Sequence, residues 1–243
     1  MSDNVGGADK DCLVVYMGRI GYGQALALQM QLCQAKKEGF APDVLLLLEH
    51  PHTITLGRKA NRENLLVSEA ELGERSVQLF SADRGGDITY HGPGQLVGYP
   101  VMQLEKEERD IHRYMYNLEE SLIRLLALYK IQAGRCEGMT GVWSHGRKIA
   151  SMGVHISRWI TRHGFALNVD TDLSFFRLIV PCGLVGKQMT SMNEMLGARL
   201  ELTDVAEQYM AEFGKVFRRR VKRVSQDQLC REGRLCVEIS STV

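Results

Sequence analysis

The segment RGGDITYHGPGQLVGYP, Arg84 to Pro100, restricts the fold of this 243-residue chain more than any other stretch. It holds five glycines among seventeen residues, with Thr89, Tyr90 and His91 between them. Glycine lets a backbone approach a ligand or another strand closely, at an entropic cost of roughly 0.5–1 kcal/mol per residue. The segment lacks the G-x-x-x-x-G-K-[ST] pattern of a phosphate loop, and strand-like residues follow where a dinucleotide fold needs a helix. We therefore expect a surface that faces a ligand, and the alternative is a barrel corner or a set of bulges.

Three stretches are predicted to be helices. The first spans Tyr22 to Glu38 and ends at Gly39, and its expected inward face holds Leu26, Met30 and Cys33. The second spans Ile111 to Tyr129 behind the cap Asp110, with an apolar stripe at Leu118, Leu122, Leu125 and Tyr129. The third runs from the expected cap Thr203 through Phe217.

The strand signals lie between these helices without a regular βαβ alternation. CLVVY begins at Cys12, VLLLL begins at Val44, and HTITLG follows with alternating polarity. TGVWS and KIASMGVHI are separated by SHGR, which predicts a hairpin, and GFALNV indicates one more strand. The basic run at 218–223 is interpreted as a solvated charged end of the last helix, and the tail REGRLCVEIS as an edge strand. This order predicts an α+β fold.

Charge and composition exclude several classes of protein. The net charge of +1 gives no reason to expect a nucleic-acid-binding protein. The longest apolar run, Val44 to Leu48, is too short to cross a bilayer, so we expect no membrane association. The polar, acidic start lacks a signal-peptide pattern, so a cytoplasmic protein with six free cysteines is expected. No spacing of cysteine and histidine predicts a metal site, and His50 and His52 are interpreted as structural.

Cys182 and Lys148 are the candidate reactive pair. Cys182 lies between Pro181 and Gly183, and Lys148 begins the second strand of the predicted hairpin. A free cysteine with a pKa of about 8.5 is mostly thiol at neutral pH, whereas a neighbouring cation that lowers the pKa to about 6.5 makes most of it thiolate. Taken separately, Cys182 also fits a small buried hydrophobe and Lys148 a solvated edge charge.

Three sequence blocks resemble one enzyme family. R-G-G-x-x-T-Y-H-x-x-G-Q-x-x-x-Y from Arg84 to Tyr99 is similar to the signature of the lipoyl(octanoyl) transferases, also called lipoate–protein ligase B. GVW…RKIASMG around Lys148 and HGFALN…VPCGLVG…TSM around Cys182 agree with it, in the same order. The resemblance covers roughly residues 44–196, with methionine at 189 and 192 as mild apolar departures.

The resemblance implies a fold and a reaction. The fold is that of the biotin/lipoyl protein ligases, a mixed sheet flanked by helices. The reaction moves an octanoyl group from acyl carrier protein to a lysine of a lipoyl domain, in 2-oxoacid dehydrogenase complexes or in the glycine cleavage H protein. Cys182 takes the place of the nucleophile that accepts the acyl group, and Lys148 that of the lysine that lowers its pKa.

The resemblance also implies substrate contacts and a simple organisation. The implied contacts are Arg84, Gly85, Gly86, Asp87, Ile88, Thr89, Tyr90, His91, Ser151, Met152, Gly153, Gly164, Phe165 and Ala166. No cofactor is expected apart from the phosphopantetheine that the acyl carrier protein brings. We expect a monomer with a single catalytic domain over 1–243, a core of about 12–220 and a tail of about 221–243.

Three alternatives stay open at this point. An ATP-dependent lipoate or biotin ligase of the same fold forms an acyl-adenylate and needs no nucleophilic cysteine. A non-catalytic module that binds a carrier protein leaves Cys182 an inert thiol. A cysteine thioesterase uses water in place of the acceptor lysine. His91 within the glycine segment fits a general base, a hydrogen-bond donor or a structural histidine.

Overall fold

The structure is a computed structural model, and it describes residues 10–39, 42–181 and 188–232. The strands are β1 (Lys10–Arg19), β2 (Asp43–Glu49), β3 (Thr53–Leu56), β4 (Gln78–Ser81), β5 (Ile88–His91), β6 (Gln95–Val101), β7 (Gly134–Cys136), β8 (Met139–Ser144), β9 (Arg147–Ser157), β10 (Ile160–Asn168) and β11 (Arg219–Arg223). The helices are α1 (Tyr22–Lys37), α2 (Glu69–Glu74), α3 (Ile111–Leu128), α4 (Met192–Leu196), α5 (Leu202–Phe217) and α6 (Gln226–Glu232). Short 3₁₀ turns occur at Arg62–Asn64, Lys106–Glu108 and Leu173–Leu178.

Eight strands form one mixed sheet in the order β11-β1-β2-β6-β10-β9-β8-β7. The β11–β1 and β1–β2 pairs are parallel, and the remaining pairs are antiparallel. A second sheet of three strands has the order β4-β3-β5. The α+β prediction with a mixed sheet and flanking helices is therefore confirmed.

Helices cover both faces of the large sheet, which is why the central strand β2 is apolar without interruption. Leu45 and Leu47 pack on the face that α3 and α5 cover. Leu46 and Leu48 pack on the opposite face, beneath α1. This alternation follows from the two-residue period of a strand. Among the described residues, no helix combines the length and the apolar character that crossing a membrane requires.

Two local predictions are confirmed. Asp110 caps α3, since its carboxylate accepts hydrogen bonds from the backbone N–H groups of His112 and Arg113 at 2.8 and 3.1 Å. The SHGR hairpin is also present, because β8 and β9 pair across a turn in which His145 and Gly146 have φ of 47° and 74°. Positive φ at both central positions is the geometry of a tight two-residue hairpin.

The predicted inward face of α1 is only partly confirmed, because Cys33 is buried, and the predicted cap of α5 is wrong. Met30 is 54% exposed, and the buried face of α1 instead carries Ala25, Leu28 and Leu32. Alanine, leucine and glutamine occur around the whole circumference of α1, so the helix has no single apolar stripe. The helical spacing of apolar residues therefore fits more than one buried face. α5 begins at Leu202 after Glu201, which makes no side-chain cap, one residue before Thr203.

The interpretation of the basic run at 218–223 as a solvated helix end is wrong for the helix end and for Arg219, whereas the other basic side chains of the run are exposed. Residues 219–223 form β11, which extends the large sheet by pairing in parallel with β1. Arg219 is buried and forms ion pairs with Asp43 at 3.0 Å and with Glu108 at 2.7 Å. These two carboxylates, far away in sequence, offset the cost of burying the guanidinium. Most of the tail predicted as an edge strand lies outside the described residues.

Candidate active site

A cleft, here called the inner cleft, lies where β5 of the small sheet meets β9 and β10 of the large sheet. It contains about 440 Å³ of empty space, including its mouth. Its walls are formed by Tyr22, Arg84, Gly86, Thr89, His91, Tyr99, Ser151, Met152, Gly153, His163, Gly164, Phe165 and Ala166. Most of the substrate contacts implied by the sequence are therefore brought together in one place.

The strand period divides the predicted contacts of β5 into two groups. Thr89 and His91 line the inner cleft, whereas Ile88 and Tyr90 lie in the apolar core of the small sheet. Tyr90 stacks on Phe175 with ring centroids 5.3 Å apart, and its hydroxyl bonds His52 Nδ1 at 2.7 Å. Because neighbouring strand residues point to opposite faces, one unbroken motif cannot place all of its side chains against a ligand.

Gly153 on β9 makes room for the loop that closes the cleft, while Gly164 on β10 makes room for the backbone of β6. Gly153 pairs with Gly164 across the two strands. A Cβ built on Gly153 would lie 2.7 Å from the carbonyl oxygen of Gly85, so the backbone of the Arg84–Gly86 loop rests directly on the sheet. The Gly85 N–H donates to the Val154 carbonyl at 2.9 Å, which fixes this contact. The bare backbone therefore serves as one wall of the inner cleft.

The glycine segment also has a structural role, as expected from the alternative prediction of a barrel corner or a set of bulges. A Cβ on Gly98 would lie 2.1 Å from the Phe165 ring, and one on Gly92 would lie 1.9 Å from the Tyr90 hydroxyl. Gly94 has φ of +76° and leaves no space next to the Asp170 carbonyl. Gly86 is different, because it is exposed, has φ of +87°, and lines the cleft. The segment thus combines close packing with one wall of the inner cleft.

Arg84 is a buried cation at the wall of the inner cleft. Its guanidinium donates to the Thr55 carbonyl at 2.8 Å, to Thr55 Oγ1 at 2.8 and 3.2 Å, and to the Gly85 carbonyl at 3.0 Å. These bonds bind the loop to β3 and hold the guanidinium plane against the cleft. Arg84 therefore shapes the cleft through the backbone that it anchors.

His91 ends a hydrogen-bonded chain that fixes its tautomer. Gln95 donates through Nε2 to Asn168 Oδ1 at 2.9 Å and to the Tyr90 carbonyl at 3.2 Å, so its Oε1 is the acceptor for His91 Nδ1 at 2.9 Å. Burial, then the neighbouring His50 and Arg84, hold the pKa of His91 well below its usual range. A neutral ring protonated at Nδ1 leaves Nε2 as an acceptor. Because Nε2 then carries no proton, this arrangement disfavours the role of a hydrogen-bond donor at Nε2 among the roles considered for His91.

Lys148 lies in the adjoining outer groove, which contains about 1080 Å³ of empty space. The inner cleft and the outer groove share Gly86, Met152 and Gly153. Lys148 is 3% exposed, and its ammonium lies 5.6 Å from the centre of the Trp143 ring. The solvated edge charge considered for Lys148 is thus wrong, since the side chain is buried and lines the outer groove.

The outer groove also holds the remaining predicted contacts. Gly85 and Asp87 line it together with Lys148. The Asp87 carboxylate accepts hydrogen bonds from the Asn61 N–H at 3.0 Å and from the Asn64 side chain, so it anchors the turn after β3. Asp87 therefore holds loop structure at the edge of the groove.

Cys182 lies outside the residues that the structure describes. The described chain leads up to it through Val180, whose N–H donates to the Asn64 carbonyl at 2.7 Å, and Pro181. The described chain resumes at Gln188, whose carbonyl accepts a hydrogen bond from the Lys148 N–H at 2.9 Å. Gln188, the first described residue after the cysteine segment, is thus hydrogen-bonded directly to the backbone of Lys148.

Sequence reasoning missed three residues that line the inner cleft, namely Tyr22, Tyr99 and His163. Tyr99 ends the quoted glycine motif, and His163 precedes Gly164, so proximity to a motif was an available signal for both. His163 has φ of +55° and bonds the Asp83 carboxylate at 2.7 Å, an unusual backbone geometry for a side chain beside a cleft. Tyr22 starts α1 far from any motif, and no sequence signal pointed to it.

Comparison with known proteins identifies the family to which the chain is similar. Residues 21–214 match the lipoyl protein ligase A/B catalytic domain. An octanoyltransferase of Solibacter usitatus is 51% identical over 86% of this chain and 94% of its own length. An octanoyltransferase of Chloroflexus aurantiacus is 48% identical over 84% of this chain and 93% of its own.

A solved structure supports the fold independently. The bipartite lipoate protein ligase of Thermoplasma acidophilum, studied with its E2 lipoyl domain, superposes with a TM-score of 0.73 at 14% identity and covers 93% of this chain and 91% of its own. The chain belongs to the lipoyl protein ligase A/B catalytic-domain family and, within it, to the octanoyltransferases. It is therefore a transferase enzyme, which removes the non-catalytic binding module from the alternatives.

Proposed function

We propose that this enzyme transfers an octanoyl group from the phosphopantetheine thioester of acyl carrier protein to a lysine of a lipoyl domain, through a thioester on Cys182. The observation that supports this most is the junction of the inner cleft and the outer groove, with the buried Lys148 lining the groove. A narrow cleft that opens into a wider groove suits an acyl chain continued by a long prosthetic arm. Lipoyl domains of 2-oxoacid dehydrogenases and the glycine cleavage H protein are the proposed acceptors.

The acyl chain occupies the inner cleft in this proposal. Met152, Phe165 and Ala166 supply apolar side chains to its walls. Burying the chain there releases water from it, at roughly 25 cal/mol per Å² of apolar surface. The phosphopantetheine arm then follows the outer groove to solvent.

The first step forms the acyl-enzyme. The Cys182 thiolate attacks the thioester carbonyl, a new C–S bond forms, and the bond to the phosphopantetheine sulfur breaks. The leaving thiolate takes a proton from the Lys148 ammonium, which leaves Lys148 neutral. One described backbone donor suits the oxyanion, because the exposed Gly86 N–H has no hydrogen-bond partner among the described residues, whereas the Gly85 N–H is used by Val154.

The second step forms the amide. An acceptor lysine with a pKa of about 10.4 is neutral in only about one molecule in a thousand at neutral pH. Neutral Lys148 accepts one proton of the acceptor ammonium, and the freed amine attacks the acyl-enzyme carbonyl. Cys182 then leaves as thiolate, and the second proton of the amine is released to solvent as the amide forms. Because a thioester becomes an amide, the reaction runs downhill without a nucleotide, and we propose that the cytoplasmic, monomeric enzyme needs no bound cofactor.

Intact-mass measurement after mixing with octanoyl carrier protein tests the proposal. We expect one octanoyl adduct that hydroxylamine removes and that peptide mapping assigns to Cys182. Cys182→Ser should lose nearly all transfer, while the matched variant Cys136→Ser, at a partly exposed free cysteine, should keep it. Lys148→Met should slow both the formation and the discharge of the adduct.

Two results would contradict this mechanism. Full activity of Cys182→Ser together with a requirement for ATP would favour the ligase chemistry of the same fold. Release of free octanoate in the presence of an acceptor domain would favour a thioesterase.

A further inference from the structure

The carboxylate of Glu119 connects helix α3 to strand β8. Its Oε1 accepts a hydrogen bond from the Gly141 N–H at 2.9 Å, and its Oε2 accepts one from Arg135 Nε at 3.0 Å. The Glu119 side chain is only 12% exposed. A hydrogen bond to an ionised acceptor is shorter and stronger than one between neutral groups. Both carboxylate oxygens are thus engaged, which fixes the orientation of this side chain.

Strand pairing alone does not hold Gly141 in place. In the β7–β8 pair the register shifts between Met139 and Trp143, and the β8–β9 pair begins at Val142. Gly141 is therefore paired in neither register among the described strands, and it has φ of +128°. At such an irregularity the backbone N–H needs a partner outside the ladder. Glu119 supplies that partner.

Helix α3 is a firm base for this contact. Leu118 and Leu122 of α3 are fully buried in the core of the large sheet. Arg135 of β7 also binds the helix, because it donates to the Glu120 carboxylate and to the Tyr116 carbonyl, each at 2.9 Å. Its guanidinium lies 3.6 Å from the centre of the Tyr116 ring. The two strands β7 and β8 are therefore both attached to the same part of α3.

The backbone of Gly141 in turn limits where Lys148 lies. A Cβ built on Gly141 would lie 2.5 Å from Lys148 Cε and 3.2 Å from its Nζ, so the end of the lysine side chain rests directly on this backbone. The Lys148 ammonium is also 5.6 Å from the centre of the Trp143 ring. A displacement of Gly141 therefore moves the surface against which the ammonium packs.

We propose that Glu119 is a positioning residue, which holds the Lys148 ammonium in place through the backbone of Gly141. Among the described residues that line the inner cleft and the outer groove, Glu119 is absent, so it acts through Lys148 and not through contact with a ligand there. Its effect on the rate rests on the proposed function, in which Lys148 is first the acid and then the base.

Replacement of Glu119 tests this inference. Glu119→Ala removes the acceptor of the Gly141 N–H, and Glu119→Met does the same while keeping most of the side-chain volume, so the test does not depend on the folding of the alanine variant. We expect both variants to slow single-turnover formation of the Cys182 adduct by at least about tenfold, since a misplacement of about 1 Å at a catalytic group costs up to about 100-fold. Glu119→Gln keeps an oxygen that can accept from Gly141, and it should stay within about threefold of the wild type.

Glu120→Ala is the matched control on the same helix. Glu120 pairs with Arg124 and Arg135, each at 2.9 Å, but it makes no hydrogen bond to Gly141 among the described residues. Its loss should lower thermal stability and leave the rate of adduct formation unchanged. A rate in Glu120→Ala as low as that of Glu119→Ala would overturn the inference, because general loosening of the helix contact would then explain both.

NMR of the Lys148 side chain separates this inference from the proposed function. In protein that contains 13C-labelled lysine, the Cε–H signal of Lys148, assigned through Lys148→Met, reports its position relative to the Trp143 ring whether or not transfer occurs. We expect the signal to shift in Glu119→Ala and Glu119→Met, and to stay in place in Glu119→Gln and Glu120→Ala. An unchanged signal in Glu119→Ala and Glu119→Met would overturn the inference. A shifted signal with wild-type transfer would overturn only the proposed role of Lys148 in the reaction.

Discussion

The Lys148 side chain lies directly over Gly141 of the neighbouring strand. A Cβ built on Gly141 would lie 2.5 Å from Lys148 Cε and 2.6 Å from the Ala150 carbonyl oxygen. Gly141 also has φ of +128°, a conformation that few other residues adopt. Because Gly141 has no side chain, the side chain of Lys148, the proposed acid and base, can occupy this space.

Gly141→Ala should displace Lys148 and slow octanoyl transfer by about 100-fold, the effect of moving a catalytic group by about 1 Å. Gly146→Ala is the matched control, because Gly146 also has a positive φ, of +74°, but no atom lies within 4 Å of its Cβ position. Both variants should lose thermal stability from backbone strain, while only Gly141→Ala should lose turnover. Wild-type rates in Gly141→Ala would show that the position of Lys148 does not matter.

Gly153→Ala should impair the inner cleft far more than Gly85→Ala. The new methyl group at Gly153 meets the Gly85 carbonyl at 2.7 Å and must push the loop off the sheet, whereas the Cβ position at Gly85 has only a 3.4 Å contact with the Val154 carbonyl. The expected result is a large rise in the KM for octanoyl carrier protein for Gly153→Ala and a small one for Gly85→Ala. Equal KM values for the two variants would rule out the close loop-to-sheet contact as the determinant of the cleft.

His50 should make the fold sensitive to mild acid. Burial lowers its folded-state pKa to about 4, compared with about 6.5 when unfolded, so the unfolded chain binds the proton more readily. The stabilisation is fully present above pH 6.5 and falls between about pH 6.5 and 4, by up to about 1.4 kcal/mol per pH unit. Urea titrations at several pH values in this range give the free energy of unfolding as a function of pH. This free energy should fall less steeply with falling pH in His50→Gln than in the wild type, and as steeply as in the wild type in the exposed His112→Gln.

Arg219→Ala should destabilise the protein by about 3 kcal/mol. The variant leaves the buried Asp43 carboxylate with Lys36, 2.7 Å away, as its remaining ion-pair partner, and it removes a bond to Glu108. Arg220→Ala is the matched control on the next residue, because its ion pair with Asp11 is solvent-exposed and is expected to contribute about 0–1 kcal/mol. Chemical denaturation measures the free energy of unfolding of both variants. Equal losses of this free energy would show that the buried ion pairs of Arg219 contribute no more to stability than the exposed pair of Arg220.

Strong local patterns predicted much of the fold. The unbroken run at Val44–Leu48, the Asp110 cap and the SHGR turn each depend on neighbours within a few residues, and all three are found where expected. Met30 of α1 and Arg219 of the basic run were misread, because the burial of a side chain depends on which distant surface packs against it. Asp43 and Glu108, not the local sequence, decide that Arg219 is buried.

Motif residues predicted the location of the site, but not the direction of each side chain. Thr89 and His91 face the cleft while Ile88 and Tyr90 do not, since a strand sends alternate side chains to opposite faces. Sequence by itself determined the family, the glycine-rich segment that lines the cleft and the candidate pair Cys182 and Lys148. Only tertiary structure brought Tyr22 from the start of α1 to the wall of the inner cleft and placed Lys148 over Gly141, because such contacts join segments that no local pattern connects.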